Sequence, residues 1–314
     1  MSSSIKKSVS RKILITGASG FIGSHLTSHF LSLGYEVHTI NKREVASLPS
    51  AARQHIADFA DQSSLGSTLE KIAAPIVVHL AGRTVPGRDF AEFGKQFENT
   101  VSPAIHMALE LPVATKLALF FGSCEEYGNG PAPFREENCP VAFSPYGWGK
   151  ISAFYGATLI ARQRQLNWCW LRPFLTFGPG QESQLLIPTL IRGCLAGEDV
   201  DLSPGEQTRD FLYVEDLCQM ISTIVGTPER ARGEIINLCS GVPRTVKSVA
   251  EKVRDLAGGG NLRFGASPYR AEEAMQFFGS GEKFTRLFGK PRLTEFEKAL
   301  RLTLDFQRSE EIKK

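Results

Sequence analysis

The stretch YGWGK sets a phenol, Tyr146, four residues ahead of an ammonium, Lys150. On a helix that spacing puts both groups on one face, one turn apart, so the lysine charge favours the phenolate and should draw the tyrosine pKa towards neutrality. A tyrosine tuned in this way is a candidate general acid or base. Far upstream, GASGFIGSHL carries Gly17, Gly20 and Gly23 at intervals of three, directly behind the apolar run KILIT. At a strand-to-helix junction each glycine has a task. Gly17 permits the tight turn, Gly20 lets the backbone approach a pyrophosphate, and Gly23 lets the helix pack closely, while free N–H groups at the helix start meet the phosphates. The stretch reads as a dinucleotide cradle.

The elements that must position these residues follow from the apolar runs. KILIT (12–16), YEVHTI (35–40), PIVVHLA (75–81), KLALFFG (116–122), WCWLRP (168–173) and EIINLC (234–239) have strand length and alternate with helical patterns. Near-continuous apolar strands separated by helices imply a parallel sheet covered on both faces, a doubly wound α/β Rossmann fold. Beyond about residue 173 the rhythm breaks at FGPG, SPGEQ, GGGN and GASP and returns around 211–240. The expected division is therefore a dinucleotide-binding domain of residues 1–173 plus 211–240. A smaller, discontinuous α/β substrate domain of 174–210 plus 241–314 would lie over the carboxyl ends of the strands.

Composition narrows the classes. A chain of 314 residues with a formal net charge of +3 points to no nucleic-acid or membrane-surface partner, although acidic small molecules remain open. No run reaches the length of a spanning helix, and MSSSIKKSVSRK lacks the apolar core of a signal peptide, so the cytoplasm is the expected compartment. The six cysteines, at 124, 139, 169, 194, 218 and 239, are scattered without a CxxC or a Cys/His cluster. Reduced, buried thiols and no metal site are expected.

The spacing GxxGxxG, with TGASGFIG, ADF around Asp58, HLAG at 79–82, Asn99, GSCEEYG at 122–128, SPYGWGK at 144–150, LRPFLTFGPGQ at 171–181 and TRDFLYVEDL at 208–217, resembles the extended short-chain dehydrogenase/reductase family. These are the NAD(P)-dependent nucleotide-sugar epimerases, dehydratases and ketoreductases, and the resemblance spans nearly the whole chain. It implies that Tyr146 is the acid/base, that Lys150 also holds the nicotinamide ribose, and that Ser123 hydrogen-bonds the reacting sugar oxygen. It also implies cofactor contacts from Ser19, Phe21 and Ile22 among the glycines, from Asp58 to the adenine amino group, and from the neighbouring Phe59. Further contacts are expected from Leu80, Ala81 and Gly82, from Asn99 and from Pro173.

Cofactor choice turns on the end of the second strand, where NAD-preferring members place an acidic residue for the adenosine ribose. Twenty-four residues after Gly17 stands Asn41, followed by Lys42 and Arg43. A ribose 2′-phosphate would meet positive charge there, so NADP is expected, with NAD possible. On the substrate side, Arg209 and Arg270 resemble the arginine pair that clamps the diphosphate of a nucleotide sugar, with Ser123, Cys124 and Glu125 facing the sugar. One departure is plain. The family's RxxN motif reads Arg172-Pro-Phe-Leu175 here, so a usual hydrogen bond is missing.

Three reactions share this scaffold. The favoured reading is an NADPH-dependent 4-ketoreductase of a nucleotide-linked 4-keto-6-deoxy sugar, and the alternative is a 4-epimerase with bound NAD. A 4,6-dehydratase is weaker because Ser123-Cys124-Glu125 stands where many dehydratases have Thr-Asp-Glu, so a thiol replaces the general acid. A sensor without turnover conflicts with the intact Ser123, Tyr146 and Lys150. The helices carrying Asn99 to Leu109 and Tyr146 to Ala161 resemble those that pair family members into a four-helix bundle, and Trp148, Ile151, Tyr155 and Leu159 widen the apolar surface of the second one. A homodimer is expected.

Overall fold

The computed structural model describes residues 11–84 and 89–312, so MSSSIKKSVSRK lies, apart from Arg11 and Lys12, outside the described residues. In chain order the strands are β1 (Lys12–Thr16), β2 (Glu36–Asn41), β3 (Arg53–Ile56), β4 (Ile76–His79), β5 (Leu117–Phe121), β6 (Trp168–Pro173), β7 (Leu175–Phe177), β8 (Asp199–Leu202), β9 (Thr208–Tyr213), β10 (Glu234–Leu238), β11 (Pro243–Thr245), β12 (Asn261–Phe264) and β13 (Gln276–Phe277). The helices are α1 (Phe21–Ser32), α2 (Gln62–Ile72), α3 (Glu92–Gln96), α4 (Ser102–Glu110), α5 (Pro145–Gln163), α6 (Leu186–Leu195), α7 (Val214–Gly226), α8 (Val246–Ala257), α9 (Glu282–Phe288) and α10 (Phe296–Ile312). A π-helical turn, Phe97–Val101, joins α3 to α4.

Seven parallel strands form the central sheet in the order β10-β6-β5-β4-β1-β2-β3. The strand period of two distributes its side chains between two cores. Ile13, Ile15, Ile76, Val78, Leu117 and Leu119 face one side with Leu26 of α1, Leu217 and Ile221 of α7 and Phe284 of α9. Leu14, Val77, Ala118, Phe120 and Trp170 face the other with Leu65 of α2, Met107 of α4 and Ala157 of α5. Burial on both faces explains the unbroken apolar runs, each large side chain contributing about 1.5–3 kcal/mol relative to exposure.

The smaller part is built on β9, which pairs with β7, β11 and β13, and on the β8–β12 pair, covered by α6, α8 and α10. The expected boundary between residues 210 and 211 cuts through β9, yet the whole of β9 belongs to this smaller sheet. Its side chains Phe211 and Tyr213 pack with Phe177, and only with α7 and β10 does the chain rejoin the central sheet. From the 241–314 stretch, α9 also returns to the central core through Phe284. The strand β3, of sequence RQHI, was not expected because it carries no apolar run and sits at the sheet edge, where one face and one side need no apolar partner. The buried-thiol expectation needs one correction. Cys139 is exposed in the loop before α5, whereas the other five free thiols are buried.

No helix of the described residues is long and apolar enough to cross a membrane. Nor do the described residues hold a His, Cys, Asp and Glu cluster arranged for a metal ion.

Candidate active site

The carboxyl ends of β1, β4, β5 and β6 open into a cleft of about 950 Å³. It lies where the strand order reverses around β1, the place at which open α/β sheets hold their ligands. Gly17, Ser19, Gly20, Phe21, Ile22 and Gly23 form one wall, with Leu80, Ala81 and Gly82 beside them and Pro173 opposite. Gly17 has φ +69°, and a Cβ on it would stand 2.8 Å from the Ala81 nitrogen. A Cβ on Gly23 would stand 2.1 Å from the Gly17 carbonyl oxygen, so only glycine lets α1 close onto the turn. Gly20 is the N-cap of α1, exposed and without a side-chain cap, which leaves the first N–H groups of the helix to a ligand.

On the other side of the cleft stand Ser123, Cys124, Glu125, Tyr146 and Lys150. Ser144 caps α5 by accepting from the Gly147 N–H at 3.0 Å, which starts the helix one residue before Tyr146 and sets Tyr146 and Lys150 on one face. The Lys150 ammonium lies 5.8 Å from the Tyr146 ring centroid and donates to the Phe121 carbonyl at 2.8 Å. Burial lowers its pKa to about 8, against the opposing charge of Glu126. The phenol does not titrate as its spacing from lysine suggests. Its burial in the cleft wall raises the pKa of Tyr146, the Ser123 hydroxyl opposing this and Glu125, Cys124 and Glu126 adding to it. Burial is the largest influence on this phenol and outweighs what the spacing from lysine suggests. Burial likewise pushes the Cys124 thiol well above its ordinary range. It is a neutral, inert group.

The cleft also collects Arg209 and Arg270. Arg209 donates to the carbonyls of Thr208 and Ala274 at 2.7 and 2.8 Å and pairs with Glu273, whereas Arg270 is exposed at the rim. Leu175, where the family's asparagine is missing, lines the same cleft.

Some expected cofactor residues sit elsewhere. Asn41 ends β2 as a buried amide that donates to Thr39 and Gln54, and Lys42 pairs with the Asp58 carboxylate at 3.3 Å; these residues and the exposed Arg43 lie beyond the cleft lining, at the carboxyl end of β2. The Ala60 N–H and Lys42 hold Asp58 below its usual range. The Phe59 ring is buried in the core beneath α2 and α4, so only its backbone remains for a ligand. Asn99 does not face the cleft. Its side chain is exposed and donates to the Lys95 carbonyl, because the π-helical turn carries one residue more than an α-turn and shifts the inward face by one. Thr100 faces inward instead, accepting from the Arg83 N–H at 3.0 Å and donating to Gln96 at 2.9 Å. No sequence pattern signals that turn. Gln181, in FGPGQ, also lines the cleft, its amide donating to the Thr176 carbonyl at 2.7 Å.

The family model described as NAD dependent epimerase/dehydratase family matches residues 13–239. The chain belongs to this family. It is therefore an enzyme of the extended short-chain dehydrogenase/reductase group, whose members act on nucleotide sugars with NAD(P). Family relatives include a GDP-6-deoxy-D-mannose reductase of Pseudomonas aeruginosa, 25% identical over 79% of this chain and 81% of that protein. Another is a UDP-glucose 4-epimerase of Neisseria meningitidis, 26% identical over 85% of this chain and 88% of its own. Among solved structures, a UDP-glucose 4-epimerase of Thermotoga maritima with UDP-glucose superposes with a TM-score of 0.87 at 22% identity, covering 96% of this chain and 99% of that one. The glycine wall of this family member fits a dinucleotide. Its close contacts exclude side chains at Gly17 and Gly23, and at Gly20 a Cβ would meet nothing nearer than the Gly17 oxygen at 3.3 Å.

The cradle helix is tied to the substrate side by His25. Its Nδ1 lies 2.7 Å from Glu215 of α7 and its Nε2 lies 2.8 Å from the Pro179 carbonyl, a pair of acceptors that only the imidazolium satisfies at once. Burial alone lowers the His25 pKa, but the bonds to Glu215 and Pro179 outweigh it and raise the value above 6.5. A pKa raised on folding stabilises fully below the unfolded value, and the benefit is lost as pH rises through the folded one. His25→Gln is therefore expected to cost about 1–2 kcal/mol at pH 6 and clearly less at pH 9, the scale of a charged hydrogen bond. Urea denaturation at the two pH values checks this; an equal cost at both removes the imidazolium from the account.

Proposed function

We propose that the protein is an NADPH-dependent 4-ketoreductase of a nucleotide-linked 4-keto-6-deoxy sugar. The observation that carries this reading is the end of β2. The strand itself ends on the neutral Asn41, which is buried and tied to its own sheet; the Asp58 carboxylate nearby is paired with Lys42, and Arg43 is exposed with no ion pair among the described residues. An adenosine 2′-phosphate fits such a site better than a bare ribose. A reduced cofactor of this kind suits an enzyme with net reduction, and the similarity to the Pseudomonas aeruginosa reductase supports the substrate class.

When bound, the reduced nicotinamide supplies the hydride that adds to the sugar C4 ketone. The chain's own part is the proton and the positioning. Tyr146, protonated because burial raises its pKa, gives its proton to the developing O4 alkoxide, and Ser123 donates a hydrogen bond to the same oxygen. Lys150, charged at neutral pH, holds the cofactor ribose and balances the phenolate left behind. Arg209 and Arg270 grip the diphosphate. Elimination of the dehydratase kind needs an acid at position 124, and burial, which pushes the Cys124 pKa well above its ordinary range, makes the thiol a weak one.

One observation favours the 4-epimerase alternative. Lys42 is already paired with Asp58, so of the two basic residues after β2 only Arg43 is without an ion pair among the described residues, which weakens the case for a 2′-phosphate. The test is direct. Purified protein free of dinucleotide should consume NADPH in step with a GDP-linked 4-keto-6-deoxy sugar. Tightly held NAD, with interconversion of UDP-glucose and UDP-galactose and no added cofactor, overturns the reductase reading in favour of the epimerase.

Replacing Arg43 by alanine should weaken NADPH binding by about 1.5–3 kcal/mol, the worth of a charge-assisted bond, with NADH nearly unchanged. Fluorescence titration of the two cofactors checks this, and equal losses contradict it. A homodimer through α4 and α5 is also part of the proposal, because Tyr155 and Leu159, one turn apart on α5, are each 56% exposed. Sedimentation at micromolar protein should give twice the mass of one chain; a monomer there refutes the pairing.

A further inference from the structure

In GSCEEYG the two glutamates part company. Ser123 caps a short 3-10 turn, Cys124–Tyr127, from which Glu125 points outward to accept from Ser144 at 3.1 Å while Glu126 points inward. Glu126 has no exposed surface. One of its oxygens accepts from the Ser123 N–H at 2.8 Å and from the Trp170 indole at 3.0 Å, and the other accepts from the Arg172 guanidinium at 2.8 Å. Arg172 is itself buried, lying over the Tyr127 ring at 4.6 Å and near the Phe154 ring of α5 at 5.7 Å. The backbone makes room for this carboxylate. A Cβ at Gly122 would stand 2.0 Å from it and 2.2 Å from the indole nitrogen.

A buried ion pair is weak evidence for stability, because its desolvation cost rivals its attraction. Its position argues for another use. The carboxylate holds the backbone on both sides of Gly122, through Ser123 directly and through β6. The residue on the other side, Phe121, offers the carbonyl that fixes Lys150.

We propose that Glu126 is a positioning residue for the reaction: bonded to the Ser123 amide, Trp170 and Arg172, it sets the end of β5 from which both Ser123 and Lys150 are held. This rests on Ser123, Tyr146 and Lys150 being the reacting groups. The charge matters beside the geometry. Around Lys150, among the described residues, stand Glu126 on the 3-10 turn with Arg172 paired to it, the buried neutral His79 on β4 and Tyr146 on its own helix, and the Glu126 charge opposes the effect of burial on the ammonium.

Two variants test the proposal. Glu126→Gln keeps an acceptor for Ser123 but removes the charge; the double variant Glu126→Leu with Arg172→Met removes the pair without stranding a buried cation. With NADPH and GDP-4-keto-6-deoxymannose, the double variant is expected to lose tenfold or more in kcat while KM stays within about twofold, and Glu126→Gln to recover part of the loss. In Glu126→Gln the alkaline limb of the kcat profile should move to lower pH, since Lys150 then loses its proton more readily, and in the double variant, where the Arg172 charge is removed as well, it should move less. The pH dependence of NADPH affinity, read by fluorescence without any sugar, should shift in the same direction. Unchanged kcat and unchanged pH limbs in folded protein reduce the pair to a structural one and overturn the proposal. If the double variant does not fold, Glu126→Gln decides by the same readouts. Tyr146→Phe is the control. Full turnover in that variant sinks the reading of the site, whereas its inactivity beside normal Glu126 variants sinks the positioning role alone. A wild type that turns over no such sugar leaves the NADPH titration to judge Glu126.

Discussion

The structure depends on one close approach of backbone to backbone. Where β1 turns into α1, the chain passes so near the end of β4 that a side chain on Gly17 would collide with the Ala81 amide, and α1 closes so tightly that one on Gly23 would collide with the Gly17 carbonyl. Both contacts are steric, and both bring the start of α1 to the mouth of the sheet with its N–H groups unspent. The cleft exists because of that approach. The strand order then reverses around β1, so the ends of β5 and β6 face the same space and deliver Ser123 and Pro173 to it.

The second organising feature is polar and buried. Glu126 and Arg172 join β5 to β6 beneath the cleft, and Asp210 does the equivalent for the smaller sheet. With no exposed surface, Asp210 accepts from the Ser240 and Gly241 amides and from Gly279, tying β9 to the loop that leaves β10. Burial raises its pKa and these bonds oppose the rise. Low-dielectric surroundings make such groups costly unless every bond is made, and here the bonds are made between segments far apart in the chain. They hold the two parts of the molecule in register across the cleft.

The chemistry of the site follows from burial more than from pairs of charges. The i, i+4 spacing places Tyr146 and Lys150 side by side, but burial raises the phenol pKa, while the ammonium is oriented by the Phe121 carbonyl. A protonated tyrosine and a charged lysine suit proton donation to a ketone oxygen. The neutral Cys124 beside them narrows the chemistry that the same scaffold can support.

Much of this was legible in the residues themselves. Unbroken apolar runs declare strands buried on both faces, and β1 and β6 match their runs to the residue. Three glycines at one junction declare the cradle, and at two of them, Gly17 and Gly23, no other residue tolerates the contacts. What only the tertiary structure decided has one physical cause: it depends on neighbours that sequence distance hides. β3 forms at an edge where pairing with β2, not apolar content, makes a strand. A π-turn moves Thr100 inward in place of Asn99. Glu125 and Glu126 are adjacent and chemically identical in the sequence, and nothing local says which is buried. Trp170 and Arg172, more than forty residues away, make that choice by offering donors on one side only.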